Sequence, residues 1–221
     1  MPRRYALPSQ SEAEHEFVPA QCWWKFDRHF NIGHEQYVPG VRRHEGKTEG
    51  AMLRWGFVPF GPHDRPAPKA TTHVAADKLE RSGLYPQWLA SQRCILPFAG
   101  FYLWQLTPQR VRQPYFVRRI ERSVFGVAAI WDRSTTEDDD VIESCAVITV
   151  SPNALVAQIQ GDRRMPAILR RKDYETWLTG TPVAAKAVLQ TYPAEWLQAY
   201  PISPRVNSIQ HNDRSLVEPL A

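Results

Sequence analysis

Apolar positions are most concentrated near the middle of the chain, in the stretch that runs from Arg93 to Gln105. Charged or polar residues bound this stretch, and Pro97 and Gly100 interrupt it, so the pattern predicts a buried strand with a bend. A glycine inside a strand pattern indicates a bulge, or a point at which another backbone or a ligand comes close. We therefore expect a close neighbour at Gly100.

Three later runs are rich in β-branched and aromatic residues, and they predict a meander of strands over residues 113–117, 124–131 and 144–150. Earlier in the chain, a charged hairpin turn is predicted with its tip near residues 45–47. The acidic run at residues 137–140 joins the last two strands of the meander. We interpret it as a solvated turn rather than a metal site, because carboxylates on a flexible turn repel one another and nothing fixes their geometry.

Helices are predicted on both sides of these strands. Residues 9–30 contain several glutamates followed by Trp23 and Trp24, which indicates a helical or loosely ordered surface segment that the tryptophans attach to the core. Base stacking by one of these tryptophans is the alternative. Further along, Thr71 or Thr72 is a candidate cap for a helix.

The C-terminal third of the chain is predicted to be largely helical up to about residue 190. Ser151 followed by Pro152 predicts a helix start with proline at the first position. Two short helices are predicted after it, around residues 174–178 and 183–189.

Composition places the chain among ordinary water-soluble globular proteins, with 43% hydrophobic and 23% charged residues in a length of 221. No apolar run approaches the length of a membrane span, and the N-terminal residues lack the apolar region of a signal peptide, so we expect a cytoplasmic protein with no membrane contact. Three widely spaced cysteines, Cys22, Cys94 and Cys145, support neither a disulfide framework nor a zinc site. We expect no metal and no cofactor.

The charge balance favours a nucleic-acid partner. Formal net charge is +4 and the basic residues are mostly arginine, which binds phosphate with two parallel hydrogen bonds and stacks on bases. A GC-rich genome produces the same arginine bias, so composition adds only modest support to this interpretation.

Several motifs resemble those of one known family. Arg-Cys-x-x-Pro-x-x-Gly-Phe-Tyr-x-Trp at residues 93–104 is similar to the signature strand of the SOS-response-associated peptidase family. Matching motifs are Arg-Trp-Gly-x-x-Pro at residues 54–59, Arg-Met-Pro at 164–166 and Ser-x-Arg-Val-Asn in the closing segment at 203–207. Residues 30–32 also resemble the family's Tyr-Asn-Val-Ala-Pro segment, with Gly33-His34 in place of its Ala-Pro. The resemblance implies proteins that survey single-stranded DNA, join covalently to abasic sites, and carry peptidase or lyase activity.

All four chemical groups that the resemblance implies are substituted in this chain. The family's N-terminal cysteine nucleophile is replaced by Pro2, its glutamate between Tyr and Trp by Leu103, and its histidine before Arg-Met-Pro by Asp162. Its active-site asparagine is replaced by Thr72 or His73, depending on the register of that segment. His73 is a candidate general base, with a structural role as the alternative. The substitutions fall on the catalytic positions, whereas the motifs of the scaffold are retained. This pattern predicts a relative that binds DNA without catalysing the family's reaction.

The residues expected to contact DNA are mostly retained. Arg4 stands at the position of a family arginine, and Arg163 and Arg164 are candidate phosphate ligands. In the family, the strand that ends near Trp55 and the loop after it present aromatic side chains to bases, which makes Trp55 and Phe60 the stacking candidates. Simple burial of Trp55 is the alternative.

Together these features predict one α+β domain over residues 1–221, dominated by a strongly bent, barrel-like antiparallel sheet with flanking helices. The predicted function is that of a monomeric DNA-damage protein that binds single-stranded or gapped DNA, with or without abasic sites. One alternative is an abasic-site lyase that forms a Schiff base through Pro2, and another is a protein–protein interaction module. The residues leave open whether any catalysis is retained.

Overall fold

The computed structural model describes residues 3–57, 71–79, 85–135 and 140–220. In these residues the chain forms two β-sheets with short helices around them. The strands are β1 Tyr5–Leu7, β2 Gln21–Cys22, β3 His29–Ile32, β4 Tyr37–His44, β5 Lys47–Trp55, β6 His73–Ala75, β7 Arg93–Phe98, β8 Gly100–Leu106, β9 Arg112–Arg119, β10 Phe125–Thr135, β11 Val141–Val150, β12 Met165–Pro166 and β13 Leu197–Pro201. The helices are α1 Gln10–Phe17, α2 Tyr85–Ser91, α3 Ala154–Gln160, α4 Tyr174–Thr179 and α5 Pro182–Ala187, with 3-10 turns at Ala76–Lys78, Arg171–Asp173, Ala194–Trp196, Pro204–Asn207 and Arg214–Val217.

Five strands close into a barrel in the order β11, β10, β7, β4, β5 and back to β11. The first four pairs of neighbouring strands in this order are antiparallel. The last pair, β5 and β11, is parallel, with Arg54 opposite Ser144 and Trp55 opposite Cys145. A ring with an odd number of strands cannot alternate direction all the way round, so at least one pair must run parallel. The barrel expected from the sequence is confirmed, and its purely antiparallel character is corrected to a mixed one.

The second sheet is antiparallel and has the order β13, β9, β8, β1, β3. The apolar stretch that predicted one bent strand forms two strands, because the chain leaves the barrel at Phe98 and enters the second sheet at Gly100. A β-carbon at Gly100 would lie 2.2 Å from Phe116 Cζ and 2.7 Å from the carbonyl oxygen of Val117. The close neighbour expected at this glycine is therefore confirmed.

Two clusters of buried side chains lie on opposite faces of β8. Phe101 and Leu103 point into the main core, which fills the barrel. Tyr102 is buried in a smaller cluster between the second sheet and the closing segment, and Trp104 packs against that cluster. Successive residues of a strand face opposite sides, so a one-residue offset decides whether a β8 side chain lies in the core or beside the C-terminal segment. The other members of the smaller cluster are Ala6, Phe116, Ile202, Val206 and Leu216.

The helices predicted in the glutamate-rich segment and in the C-terminal third of the chain are present, with one correction at the start of α3. The segment with the glutamates forms α1, which a capping box between Ser9 and Glu12 begins. The helix predicted to start at Ser151 and Pro152 begins later, because Asn153 is the cap and its Oδ1 accepts a hydrogen bond of 2.9 Å from Val156 N. The two short helices after it are confirmed as α4 and α5.

The expected helix cap at Thr71 or Thr72 is wrong. The chain there continues as β6, which pairs parallel with β11. In the 3-10 turn that follows, Ala76–Lys78, the N-cap residue is Ala75, and no side chain caps the turn. Strand pairing has outweighed the local preference of threonine for a capping position. No helix in the described part of the chain is both long and apolar enough to cross a bilayer.

Candidate nucleic-acid interface

Arg4 is held in place by two hydrogen bonds from its guanidinium. Nη1 donates to Asn31 Oδ1 at 3.1 Å, and Nη2 donates to the backbone carbonyl of Asn207 at 3.0 Å. Partial burial lowers the pKa of the guanidinium from its usual value, without removing its charge near neutral pH. The arginine expected to contact phosphate is thus a fixed cation between β1, β3 and the closing segment.

Asn31, which is fully buried, fastens the closing segment of the chain to β3. Its Nδ2 lies 3.2, 2.9 and 3.0 Å from the carbonyl oxygens of Val206, Ser208 and His211. The sequence contained a signal for this residue, since residues 30–32 resemble a family segment, although it assigned no role to the asparagine. The geometry assigns Asn31 the role of positioning both Arg4 and the C-terminal segment.

Trp104 and Arg163 line one side of the same region. The indole Nε1 of Trp104 donates a hydrogen bond of 2.8 Å to Asn207 Oδ1, which places the indole beside the contact of Arg4. A groove of about 250 Å³, which we call the Arg163 groove, is lined by Trp104, Leu106, Arg112, Ile159, Gln160, Gly161 and Arg163. A groove that contains a partly exposed aromatic ring and two arginines is suited to a base and its flanking phosphates.

The sequence had identified Arg163 but not its neighbours in this groove. Trp104 was visible as the last residue of the signature strand, yet no role was assigned to it. Arg112 carried no signal, because it belongs to no motif and reaches the groove only through the pairing of β8 with β9.

Trp55 is a core residue, and the stacking role expected for it is wrong. Its ring is 1% exposed, and its Nε1 donates a hydrogen bond of 3.0 Å to the carbonyl of Thr72. The rings of Tyr5, His34 and His73 lie around it, with centroid distances of 5.3, 5.3 and 5.6 Å. A base needs an open face on which to stack, and Trp55 has none.

Arg4, Trp55 and His73 are brought together around a void that is too small to hold a water molecule. Tyr5, Phe98, Val147 and Pro166 complete its lining. His73 is tied on one side by a hydrogen bond of 2.8 Å between its Nδ1 and Thr72 Oγ1. The described residues thus leave little space beside His73 for a substrate. Pro2 and Phe60, the other two sequence candidates for this part of the molecule, lie outside the described residues.

His34 is a titratable group that the sequence-based interpretation missed. It stands where the family has proline, in Gly33-His34, so the departure from the motif was its only signal. The ring packs on Trp55 and lies near the backbone of Arg3 at the surface of the protein. Partial burial, together with the nearby charges of Arg3 and Arg4, lowers the pKa of the imidazole from its usual value.

Leu103 and Asp162, two of the substituted family positions, lie in different environments. Leu103 has no exposed surface and belongs to the main core. Asp162 is exposed in the turn that follows α3. A carboxylate on the surface is hydrated, and a leucine in the core supplies no proton.

Arg164 is partly used by the fold itself. Its Nε and Nη2 donate hydrogen bonds to Thr149 Oγ1 at 3.1 Å and to the Thr149 carbonyl at 2.7 Å, and Nη2 pairs with Asp77 Oδ1 at 3.0 Å. About 30% of the side chain is exposed. Arg163 is exposed, so of the two adjacent arginines Arg163 is the more accessible to a phosphate.

Comparison with known proteins agrees with the motifs. The sequence model of the family described as SOS response associated peptidase (SRAP) matches residues 1–209. The chain belongs to this family. The resemblance found in the sequence is therefore confirmed across most of the SRAP chain, from its first residue to the closing segment.

Relatives of this SRAP chain share a common description. This chain is 27% identical over 192 residues to the abasic site processing protein YoqW of Bacillus subtilis, and the match covers 86% of this chain and 85% of that protein. It is 26% identical over 198 residues to the abasic site processing protein HMCES of mouse, with 76% of this chain and 56% of that protein covered.

Solved structures with the same fold have low sequence identity to this chain. A protein of Bacteroides thetaiotaomicron superposes with a TM-score of 0.87 at 20% identity, over 99% of this chain and the whole of that one. A protein of Bordetella bronchiseptica superposes with a TM-score of 0.77 at 21% identity, over 91% of this chain and 99% of that one. The α+β barrel fold is therefore shared with these proteins.

Proposed function

We propose that this SRAP protein binds single-stranded or gapped DNA, including DNA with abasic sites, as a monomer and without joining it covalently. The observation that carries the proposal is the Arg163 groove, whose lining combines Trp104 with Arg112 and Arg163, and Trp104 hydrogen-bonds Asn207, the residue that also holds Arg4. Stacking tolerates any base, and arginines neutralise phosphates irrespective of sequence. The relatives described as abasic site processing proteins support the DNA-damage context.

Binding without covalent linkage is supported by the surroundings of the substituted family positions. Leu103 is buried in the core, and the void between Arg4 and His73 admits no water. An acid–base catalyst must reach the proton that it transfers, either directly or through one water. No metal or cofactor enters this proposal, since binding requires only cations and an aromatic surface.

A second candidate is favoured by the position of His34. This chain could act as an abasic-site lyase through the amine of Pro2, which would condense with the C1′ aldehyde of the ring-opened sugar and release water as an iminium forms. A base would then remove a C2′ proton, and β-elimination would break the C3′–O bond with phosphate as the leaving group. His34 packs against Trp55 and lies near the backbone of Arg3, the residue that follows Pro2 in the chain, so its imidazole is the candidate for that base.

The binding proposal is tested by fluorescence anisotropy with a labelled single strand. Arg163→Ala and Trp104→Ala are expected to weaken binding to strands of different sequence by a similar factor, and Arg163→Ala is expected to reduce the slope of log K against log salt by about 1. Lys47→Ala, at the exposed tip of the β4–β5 hairpin, serves as the control for loss of one charge elsewhere. Wild-type protein that binds no strand at low salt would refute the proposal.

The lyase candidate has its own test, borohydride trapping with abasic single-stranded DNA. Protein with a free Pro2 amine is expected to give a trapped adduct, and acetylation of that amine is expected to abolish it. Absence of an adduct, or an adduct that persists after acetylation, would leave non-covalent binding as the function.

A further inference from the structure

We infer that a DNA strand bound in the Arg163 groove continues past Arg164 onto a second binding surface formed by Arg170, Lys172 and Trp196, which we call the Trp196 surface. This inference rests on the proposed DNA binding and extends it by assigning the path of the flanking strand. The partner is the phosphodiester backbone and bases of a single strand.

The path follows two depressions that share part of their lining. The first, of about 450 Å³, contains Arg164 and Lys186, and the second, of about 210 Å³, contains Arg170 and Lys172. The residues common to both are Gln190 and Thr191. Gln160, which lines the Arg163 groove, donates a hydrogen bond of 3.3 Å from its Nε2 to the carbonyl of Arg164, a residue that lines the first depression, so the groove and the depression meet at this contact.

Trp196 offers an aromatic face at the far end of this path. Its side chain is 44% exposed. The guanidinium carbon of Arg170 lies 5.5 Å from the centroid of the indole, and the ring of Tyr192 contacts the indole edge-on at a centroid distance of 5.5 Å. The two contacts orient the indole before any ligand arrives. A fixed, accessible tryptophan beside an arginine is the arrangement on which a base stacks while its phosphate is neutralised.

The charges along the path favour a polyanion. The two depressions contain the basic residues Arg164, Lys186, Arg170 and Lys172 and the acidic residues Asp77 and Asp173. Asp77 is already paired with Arg164 at 3.0 Å. An acidic peptide would satisfy these cations too, but the exposed indole and the continuity with the Arg163 groove select a nucleic-acid strand.

The inference is tested by measuring anisotropy with a short strand of about 8 nucleotides and a long one of about 24, since one site of this kind covers about 4–16 nucleotides. The double variant Arg170→Ala/Trp196→Ala is expected to bind the long strand at least about fivefold more weakly and to bind the short strand as the wild type does. Arg163→Ala is expected to weaken the binding of both the short and the long strand. The double variant Tyr37→Ala/Arg214→Ala removes an exposed aromatic side chain and an exposed arginine outside both surfaces and is the matched control.

Lys172→Ala changes an exposed side chain and therefore tests the same surface if the double variant misfolds. It is expected to lower the slope of log K against log salt by about 1 for the long strand and to leave the slope for the short strand unchanged. Equal affinity of the Arg170→Ala/Trp196→Ala protein and the wild type for the long strand would overturn the inference. So would equal weakening by the control pair, or capture of an acidic peptide in place of the long strand. If the wild type binds neither strand, it is the proposed function that fails.

Discussion

Arg4 and Asn207 are joined by a hydrogen bond of 3.0 Å, so the first described residues and the closing segment of the chain meet beside Trp104. The contact makes the candidate interface depend on both ends of the sequence. It also explains why a fully buried asparagine, Asn31, lies behind it: its side chain accepts from Arg4 and donates to three carbonyls of the closing segment.

Replacing Asn31 is expected to loosen this junction. Asn31→Ala leaves the buried carbonyl of Val206 and the partly buried carbonyls of Ser208 and His211 without this donor. It should lower the free energy of unfolding by about 2–4 kcal/mol. Asn212 is exposed, and its Oδ1 accepts a hydrogen bond of 2.7 Å from Phe30 N. Asn212→Ala should therefore lower the free energy of unfolding by less than about 1.5 kcal/mol. Urea denaturation of both variants checks the difference. Equal losses would mean that Asn31 does not organise the junction.

Leu103 distinguishes a closed core from a remnant active site. Leu103→Glu places an unpaired carboxyl group in the main core and should lower the unfolding free energy by about 3–5 kcal/mol. Leu106, on the same strand, is 64% exposed, and Leu106→Glu should change stability by less than about 0.5 kcal/mol. Thermal melting measures both.

The same variant has an expected pH dependence. Burial raises the pKa of a core glutamate above its unfolded value of about 4.3. The unfolded state therefore loses its proton first as pH rises, and the penalty of Leu103→Glu relative to Leu106→Glu should grow from pH 4 to pH 7. A Leu103→Glu protein as stable as the wild type at neutral pH would indicate a polar, hydrated pocket and would contradict the loss of chemistry at this position.

Gly100 marks the crossing between the two sheets and should not accept a side chain. Gly100→Ala would bring its β-carbon to 2.2 Å from Phe116 and 2.7 Å from a backbone oxygen, and the backbone cannot move aside easily. We expect a loss of about 1–3 kcal/mol. The nearest atom to a β-carbon at Gly33 is 3.5 Å away, so Gly33→Ala should be tolerated. Chemical denaturation that ranks the two variants equally would contradict this description of the crossing.

The sequence predicted the fold more fully than the site. Strand periodicity and the family motifs carry local information, and β9, β10, β11, α4 and α5 lie where the patterns placed them. Ring closure is not local: the parallel pairing of β5 with β11 follows from the number of strands in the barrel, which no single stretch encodes. For the same reason the pattern predicted one strand where the chain crosses between two sheets.

The site shows the same division between local and long-range information. Arg163 was identified because it belongs to a motif, whereas Arg112 reaches the groove only through strand pairing. Trp55 was misjudged because its sequence neighbours resemble those of a DNA-contacting strand, while its burial is decided by Tyr5, His34 and His73 from elsewhere in the chain. Side-chain exposure depends on packing partners that sequence spacing does not reveal.

His34 is expected to make the fold sensitive to mild acid. Its pKa is lowered in the folded protein by burial and by Arg3 and Arg4, so below about pH 6.5 the unfolded chain binds a proton that the folded chain resists. His34 is exposed at the surface, and solvent screening keeps the effect small. Stability should therefore fall modestly as pH drops from 7 to 5, and His34→Gln should reduce that fall. His15→Gln, on the exposed side of α1, is the control. Melting curves with the same pH dependence in wild type and His34→Gln would refute the prediction.

This SRAP protein is expected to hold damaged single-stranded DNA without a covalent bond. An anisotropy titration of a labelled abasic single strand at low salt, read again after sodium dodecyl sulfate is added, tests both parts of that expectation in one sample. We expect a salt-sensitive rise in anisotropy, with a dissociation constant on the order of micromolar, and a return to the value of the free strand in detergent. Anisotropy that never rises would contradict DNA binding, and anisotropy that stays high in detergent would show that covalent chemistry is retained.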